Sequence, residues 1–357
     1  MKKIIIKLIL PSILLFIACN NPNKTNVKIG LIADLTGSMA LYGNWVKNGV
    51  EIAKDSCDNI DLIIEDSKSE PKNAVNAIQK LITEDVNFII TGNGSSAVMS
   101  IAPIANNNHN IVFVCLASSP NISEAGSYVF RNRVSGLYEV KSLVDFSKKE
   151  HFTNFGAIAL NNEAGMPYIN AFKTQLELIE ERLLSNQLVD ANQTNLSSQA
   201  LKFKNNDIKT VLLALQAAQA VNFINQCIEI NYFPTWLGIS SLKSDKILEF
   251  PDTIKNNFYI ASEDIDISNP NFQNFNKIYI EIFNENAGIY AVNGYDAFNV
   301  LNRLIKECNS DVEKIKKALH EKQFIGAGGN MTFDKNGDAK RNVQIFRILN
   351  ESFIKCN

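Results

Sequence analysis

Two short loops carry the side chains best suited to holding a small molecule. GNGSSA (92–97) follows the apolar run FIIT (88–91) and leads straight into a helical stretch, and LASSP (116–120) follows IVFVC (111–115). Small residues let a ligand approach the backbone, and a helix start offers N–H groups with no intrahelical acceptor. Serine adds a hydroxyl donor. A carboxylate or another anionic or polar oxygen is the natural guest of such a loop. For Ser95 or Ser96 taken alone, ordinary helix capping is the simpler explanation. A third loop, DLTGSMALYGN (34–44), contains Tyr42 and follows the first strand candidate.

GNGSSA also fits the dinucleotide pattern GxGxxA. That pattern belongs after the first strand of its domain, and here it follows the third. The acid expected about 20 positions further on to bind ribose is missing, because that region is the apolar IVFVC. A nicotinamide-dependent oxidoreductase is therefore disfavoured. Other catalysis has little support. No GxSxG elbow occurs, and His109, His151 and His320 sit in polar contexts away from the candidate loops. The acids of EDSKSE (65–70) and Glu180-Glu181 read as solvated faces. No enzyme activity, cofactor or metal is expected.

The elements that must position these loops alternate along the chain. Strand candidates are 27–33, 61–66, 88–91, 111–115, 155–160, 210–215, 234–239 and 257–261. Helix candidates are 43–56, 71–85, 97–108, 168–183, 218–230, 270–288, 294–308 and 311–322. Continuous apolar strands separated by helices mark α/β lobes with parallel sheets covered on both faces. The length suggests two such lobes. In open α/β sheets, ligands bind beyond the carboxyl ends of the strands, where the three loops fall. The ending alternates and contains Asn336-Gly337, which predicts a terminal β hairpin turning there.

The first residues, MKKIIIKLILPSILLFIAC, have a basic start and an apolar run too short to span a bilayer. Phe16-Ile17-Ala18-Cys19 resembles the bacterial lipobox, with Phe16 in place of the usual leucine. The resemblance implies a signal peptide over 1–18, lipid on Cys19 and a polar tether over 19–26. Six cysteines are present, and five remain once Cys19 is spent. They show no CxxC spacing, so neither a zinc site nor a disulfide framework is indicated. Cys115 and Cys227 read as core residues, and a pair involving Cys308 and Cys356 stays open. A formal net charge of −2 gives no footprint for nucleic acid or an anionic membrane.

IGLIADLTGSMALYG (29–43), the run from 62 to Ser96, IVFVCLASSPNIS (111–123), GYDAFNVL (294–301) and FIGAGGNMTFDKNGDA (324–339) together resemble the leucine/isoleucine/valine-binding family of periplasmic solute-binding proteins. The resemblance covers the whole mature chain. It implies two doubly wound parallel-sheet lobes joined by a three-strand hinge, with lobe 1 built from 27–137 plus 263–339 and lobe 2 from 138–262 plus 340–357. It places Ser96 (or Ser95), Ala117 and Ser119 on the solute carboxylate, with Ser118 between and Tyr42 lining the cleft. In the second lobe, the family's ammonium-binding tyrosine falls on Ala164 and its glutamate near Ser240. Another aromatic position falls near Gln216. Glu163 can substitute as the acid or be a solvated loop residue. A buried ammonium without a carboxylate partner is strongly unfavourable. A carboxylate without an ammonium, an amide or a different polar solute therefore stands level with the family's usual branched-chain amino acid.

These expectations describe a monomeric lipoprotein on the periplasmic side of the envelope that hands a small solute to an ABC permease. The alternative is a sensory or regulatory lipoprotein of the same fold, signalling to a membrane receptor or an envelope enzyme.

Overall fold

The computed structural model describes residues 26–356, so the leader, Cys19 and most of the tether lie outside the described residues. In the first part of the chain, β1 (Val27–Ala33), α1 (Ala40–Asp55), β2 (Ile60–Asp66), α2 (Pro71–Thr83), β3 (Phe88–Gly92), α3 (Ser95–Asn108), β4 (Ile111–Val114) and β5 (Val129–Arg131) follow one another. Their strands form a wholly parallel sheet in the order β2-β1-β3-β4-β5. Side chains alternate between the faces of a strand. Ile29 and Leu31 pack with Val46 and Val50 of α1 on one face, while Ile32 packs with Ile78 of α2 and Val98 of α3 on the other. Both faces are covered, which is why these strands read as unbroken apolar runs.

The chain then crosses to a second lobe. There α4 (Gly136–Lys149), β6 (Phe155–Leu160), α5 (Met166–Glu177), β7 (Leu183–Val189), α6 (Ser197–Asn205), β8 (Thr210–Ala214), α7 (Ala217–Glu229), β9 (Thr235–Gly238), the short α8 (Asp245–Leu248) and α9 (Asp252–Lys255), and β10 (Phe258–Glu263) follow. It returns for α10 (Pro270–Phe283), α11 (Ile289–Glu307), α12 (Val312–Glu321) and the small hairpin β11 (Phe324–Gly326) and β12 (Gly329–Met331). A third crossing leads to β13 (Val343–Leu349) and β14 (Ser352–Lys355). The second sheet runs β14-β13-β10-β9-β8-β6-β7. Its parallel part repeats the relative strand order of the first sheet.

The second sheet is not wholly parallel: β13 pairs antiparallel to β10, and β14 antiparallel to β13. The terminal hairpin turns at Asn350-Glu351, not at Asn336-Gly337. Both turn residues have positive φ, 48° and 57°, as a two-residue hairpin loop requires. Asn336-Gly337 instead lies in a tight turn of the third crossing, where Asp334 Oδ1 accepts from the amides of Asn336 (2.8 Å) and Asp338 (3.0 Å). The helix expected over 168–183 ends at Glu177, and residues from Leu183 form the edge strand β7. The five described cysteines are free. Cys308 packs on the core of the first lobe, whereas Cys356 joins β13 of the second through its amide.

Two helices meet unusually closely. A Cβ on Gly49 of α1 would overlap the Ala291 carbonyl of α11, and one on Gly294 would overlap the Val46 carbonyl. Glycine at both positions lets the two backbones touch.

Candidate functional site

The loops after β1, β3 and β4 face those after β6, β7, β8 and β9 across a cleft of about 380 Å³. In each lobe this places the point where strand order reverses, β1/β3 and β6/β8, at the cleft wall. Such switch points are where open α/β sheets leave a crevice.

On the first lobe the loops are tied together by Asp34, a buried acid at the tip of β1. Its Oδ1 accepts from Ser67 Oγ (2.6 Å) and Asn93 Nδ2 (2.9 Å), and its Oδ2 from the Gly94 amide (3.1 Å). This network fixes Gly94, the residue before α3. Ala97 and Val98 donate their amides to the Gly94 carbonyl, and no side chain caps α3. The amides of Ser95 and Ser96 therefore start the helix without intrahelical partners, at residues that line the cleft. Ser95 Oγ accepts from the Ser119 amide (3.3 Å), which joins the β3 and β4 loops.

Ala117 and Ser118 line the same wall. The backbone behind them is anchored by Arg131, whose guanidinium donates to the Ser119 carbonyl (2.7 Å) and Asp338 Oδ1 (2.7 Å). Both members of that ion pair are buried. The third crossing thus holds the β4 loop in place.

The second lobe contributes Asn162, Ala164, Tyr168, Gln216, Ser240 and Ser241. Asn162 Oδ1 accepts from the amides of Ala164 (2.9 Å) and Gly165 (3.1 Å), shaping the turn into α5. Tyr168 is fully buried, and its hydroxyl lies 2.9 Å from Ser118 Oγ and 3.1 Å from Glu139 Oε2. That chain of hydrogen bonds links the two lobes. Gln216 Nε2 reaches Met39 Sδ (3.2 Å) across the mouth, making a second link.

Beneath the cleft sits Arg133, from the first crossing. It bonds Glu263 at the end of β10, Glu139 of α4 (2.9 Å) and Ser240 Oγ. Burial pulls its pKa down, but Glu263 and Glu139 outweigh that and hold it well above the ordinary value. Burial pushes the Glu139 carboxyl up, against the opposing pull of Arg133. Burial also pushes the Tyr168 hydroxyl well up and that of Tyr290 to about 12. Both phenols keep their protons at neutral pH, and that of Tyr168 donates to Glu139.

Eight of the residues singled out from sequence line this cleft: Tyr42, Ser95, Ser96, Ala117, Ser118, Ala164, Gln216 and Ser240. Two do not. Ser119 is fully buried behind the wall, with its amide and carbonyl spent on Ser95 and Arg131. Glu163 is exposed on the outside, where it accepts from Asn121 of the other lobe (3.3 Å). Sequence reasoning missed Asp34, Tyr168, Tyr290 and the Arg133 cluster. An acid directly after an apolar strand was the one readable signal, at Asp34. Among the described residues no group of His, Cys, Asp and Glu is placed to hold a metal ion, and no helix is long and apolar enough to cross a membrane.

The chain is similar along most of its length to a Leu/Ile/Val-binding protein of Rhizobium johnstonii, at 22% identity over 330 residues, covering 88% of this chain and 89% of the relative. The fold is shared with a leucine binding protein from Thermotoga maritima (TM-score 0.81, 21% identity, 93% of this chain and 98% of that one). It is shared equally with an R. palustris ABC-transporter solute binding protein in complex with benzoate (TM-score 0.81, 18% identity, 92% and 95%). The family model described as periplasmic binding protein matches residues 26–352, and the chain belongs to that family.

Proposed function

We propose that the protein is an extracytoplasmic solute-binding component. It closes on a small carboxylate-bearing solute and passes it to an ABC transporter, tethered to its membrane by lipid on Cys19. The observation that carries this reading is the uncapped start of α3, where the amides of Ser95 and Ser96 stand beside Ala117 and Ser118 at the cleft wall. The starts of α1, α2 and α7 also lie there, marked by Met39 and Gln216, which precede α1 and α7, and by Pro71, which opens α2. Each helix start favours an anion by about 0.3–1 kcal/mol.

Among the described residues no lysine, arginine or histidine lines the cleft. The carboxylate is therefore held by neutral donors, which bind it without a buried counter-charge to desolvate. The rest of the solute lies against Tyr42, Leu116, Leu160 and Tyr168. Leucine and benzoate, named for the two structural neighbours, have a carboxylate in common.

Titration calorimetry and thermal melting against amino acids, amides, ureas, and aliphatic and aromatic carboxylates test the proposal. Carboxylates should release heat and raise the melting temperature, because a ligand that binds only the folded state stabilises it. Silence across the whole panel refutes the reading.

A further inference from the structure

Beside the cleft, on the flank of the second crossing, lies a larger chamber of about 1210 Å³. Tyr290 and Ser240 line both spaces, so the two meet at these residues. Three features of the chamber are not used by the reading above. First, Glu263 lines it and is only 4% exposed, yet its Oε2 has no hydrogen-bond partner. Its other oxygen is taken by Arg133 and by the Val134 amide. A buried carboxylate oxygen left unpaired is costly and calls for a donor.

Second, the one guanidinium of Arg133 faces two buried carboxylates, Glu139 and Glu263. The cluster thus contains one acid more than base. Third, the rings of Trp45 and Tyr290 stack nearly parallel (6°, centroids 6.2 Å apart) at the chamber wall. Aromatic walls next to an acid suit a cation. Trp45 is itself fixed by a bond from its Nε1 to Glu285 Oε1 (3.1 Å).

We infer that this chamber is a second subsite, which takes the amine end of a solute whose carboxylate occupies the cleft. The inference rests on the proposed function, and it defines the substrate class more narrowly. The solute is an elongated zwitterion, with an amine remote from its carboxylate. Its ammonium donates to Glu263 Oε2 and lies against the Trp45 ring.

Calorimetry tests this with straight-chain ω-amino carboxylates of increasing length, each paired with the unsubstituted carboxylate of the same length. Past a threshold length the amine should tighten binding on the order of tenfold or more, as for a hydrogen bond between charged groups. Trp45→Leu should shrink that gain and leave the unsubstituted carboxylates unchanged, and Glu263→Gln should, separately, shrink the same gain. Trp45 lies outside the Arg133 cluster, so its variant stays informative if Glu263→Gln fails to fold. Carboxylates that bind with no gain from the amine overturn the inference and leave the proposed function standing. A gain that survives in both variants also overturns it, leaving Glu263 Oε2 to an ordered water. No binding by any carboxylate overturns both.

Discussion

The cleft wall separates two kinds of serine. Ser95, Ser96 and Ser118 line the cleft, whereas Ser119 is sealed behind it, with a buried hydroxyl that has no hydrogen-bond partner. Ser96→Ala should weaken carboxylate binding by about 1.5–3 kcal/mol, the worth of a hydrogen bond to a charged group. Ser119→Ala should leave the affinity unchanged and the melting temperature equal or slightly higher, because it removes an unmet polar group. Calorimetry and melting on the two variants separate these roles; a loss of affinity in Ser119→Ala returns that hydroxyl to the grip. Glu139 contributes a pH dependence of definite sign. Burial raises its folded pKa above the ordinary 4.5, so in the window above pH 4.5 the folded state binds more protons than the unfolded chain. Its contribution to stability therefore falls as pH rises through that window. Glu139→Gln should flatten the melting profile there, and an unchanged slope contradicts the assignment.

At the level of elements, most of the scaffold was legible because buried parallel strands announce themselves. VKIGLIA and FGAIAL coincide with β1 and β6 to the residue. What escaped was the weakly patterned remainder. The strand β7, LLSNQLV, is an edge strand with alternating exposure, and its first residue, Leu183, continued the apolar periodicity of the helix before it. β5 has three residues, too few to show a period. The hairpin was foreseen but misplaced: Asn-Gly is the stronger turn signal, and the spacing of the Asp334 hydrogen bonds uses it elsewhere. In the site, loop positions next to strands were readable. Arg133, Glu139 and Glu263 were not, because 130 residues separate the first from the last and only the tertiary fold brings them together. The α1–α11 contact gives a sharp test at this scale. Gly49→Ala must push two backbones apart and should destabilise by about 1–3 kcal/mol or more. A chemical-denaturation midpoint equal to the parent's would show that the helices can slide without loss.

Considered as a whole, the molecule has polar links between its lobes among the described residues that include Ser118 to Tyr168, Gln216 to Met39 and Asn121 to Glu163. Two of these span half-exposed or exposed groups and contribute little by themselves. A solute that bridges the lobes shifts the balance towards closure by its differential affinity for that state. Small-angle scattering should therefore report a smaller radius of gyration with a bound carboxylate than without, and identical profiles would count against capture by closure. The three crossings have a further consequence for how the chain acquires its shape. The glycine-lined ridge of α1 has its partner surface on α11, more than 200 positions later, and the second sheet is completed only by β13 and β14, which follow β12. A nascent chain emerging from the ribosome cannot finish either half early. Its apolar ridges stay uncovered until α11, β13 and β14 have been made, so each half condenses late.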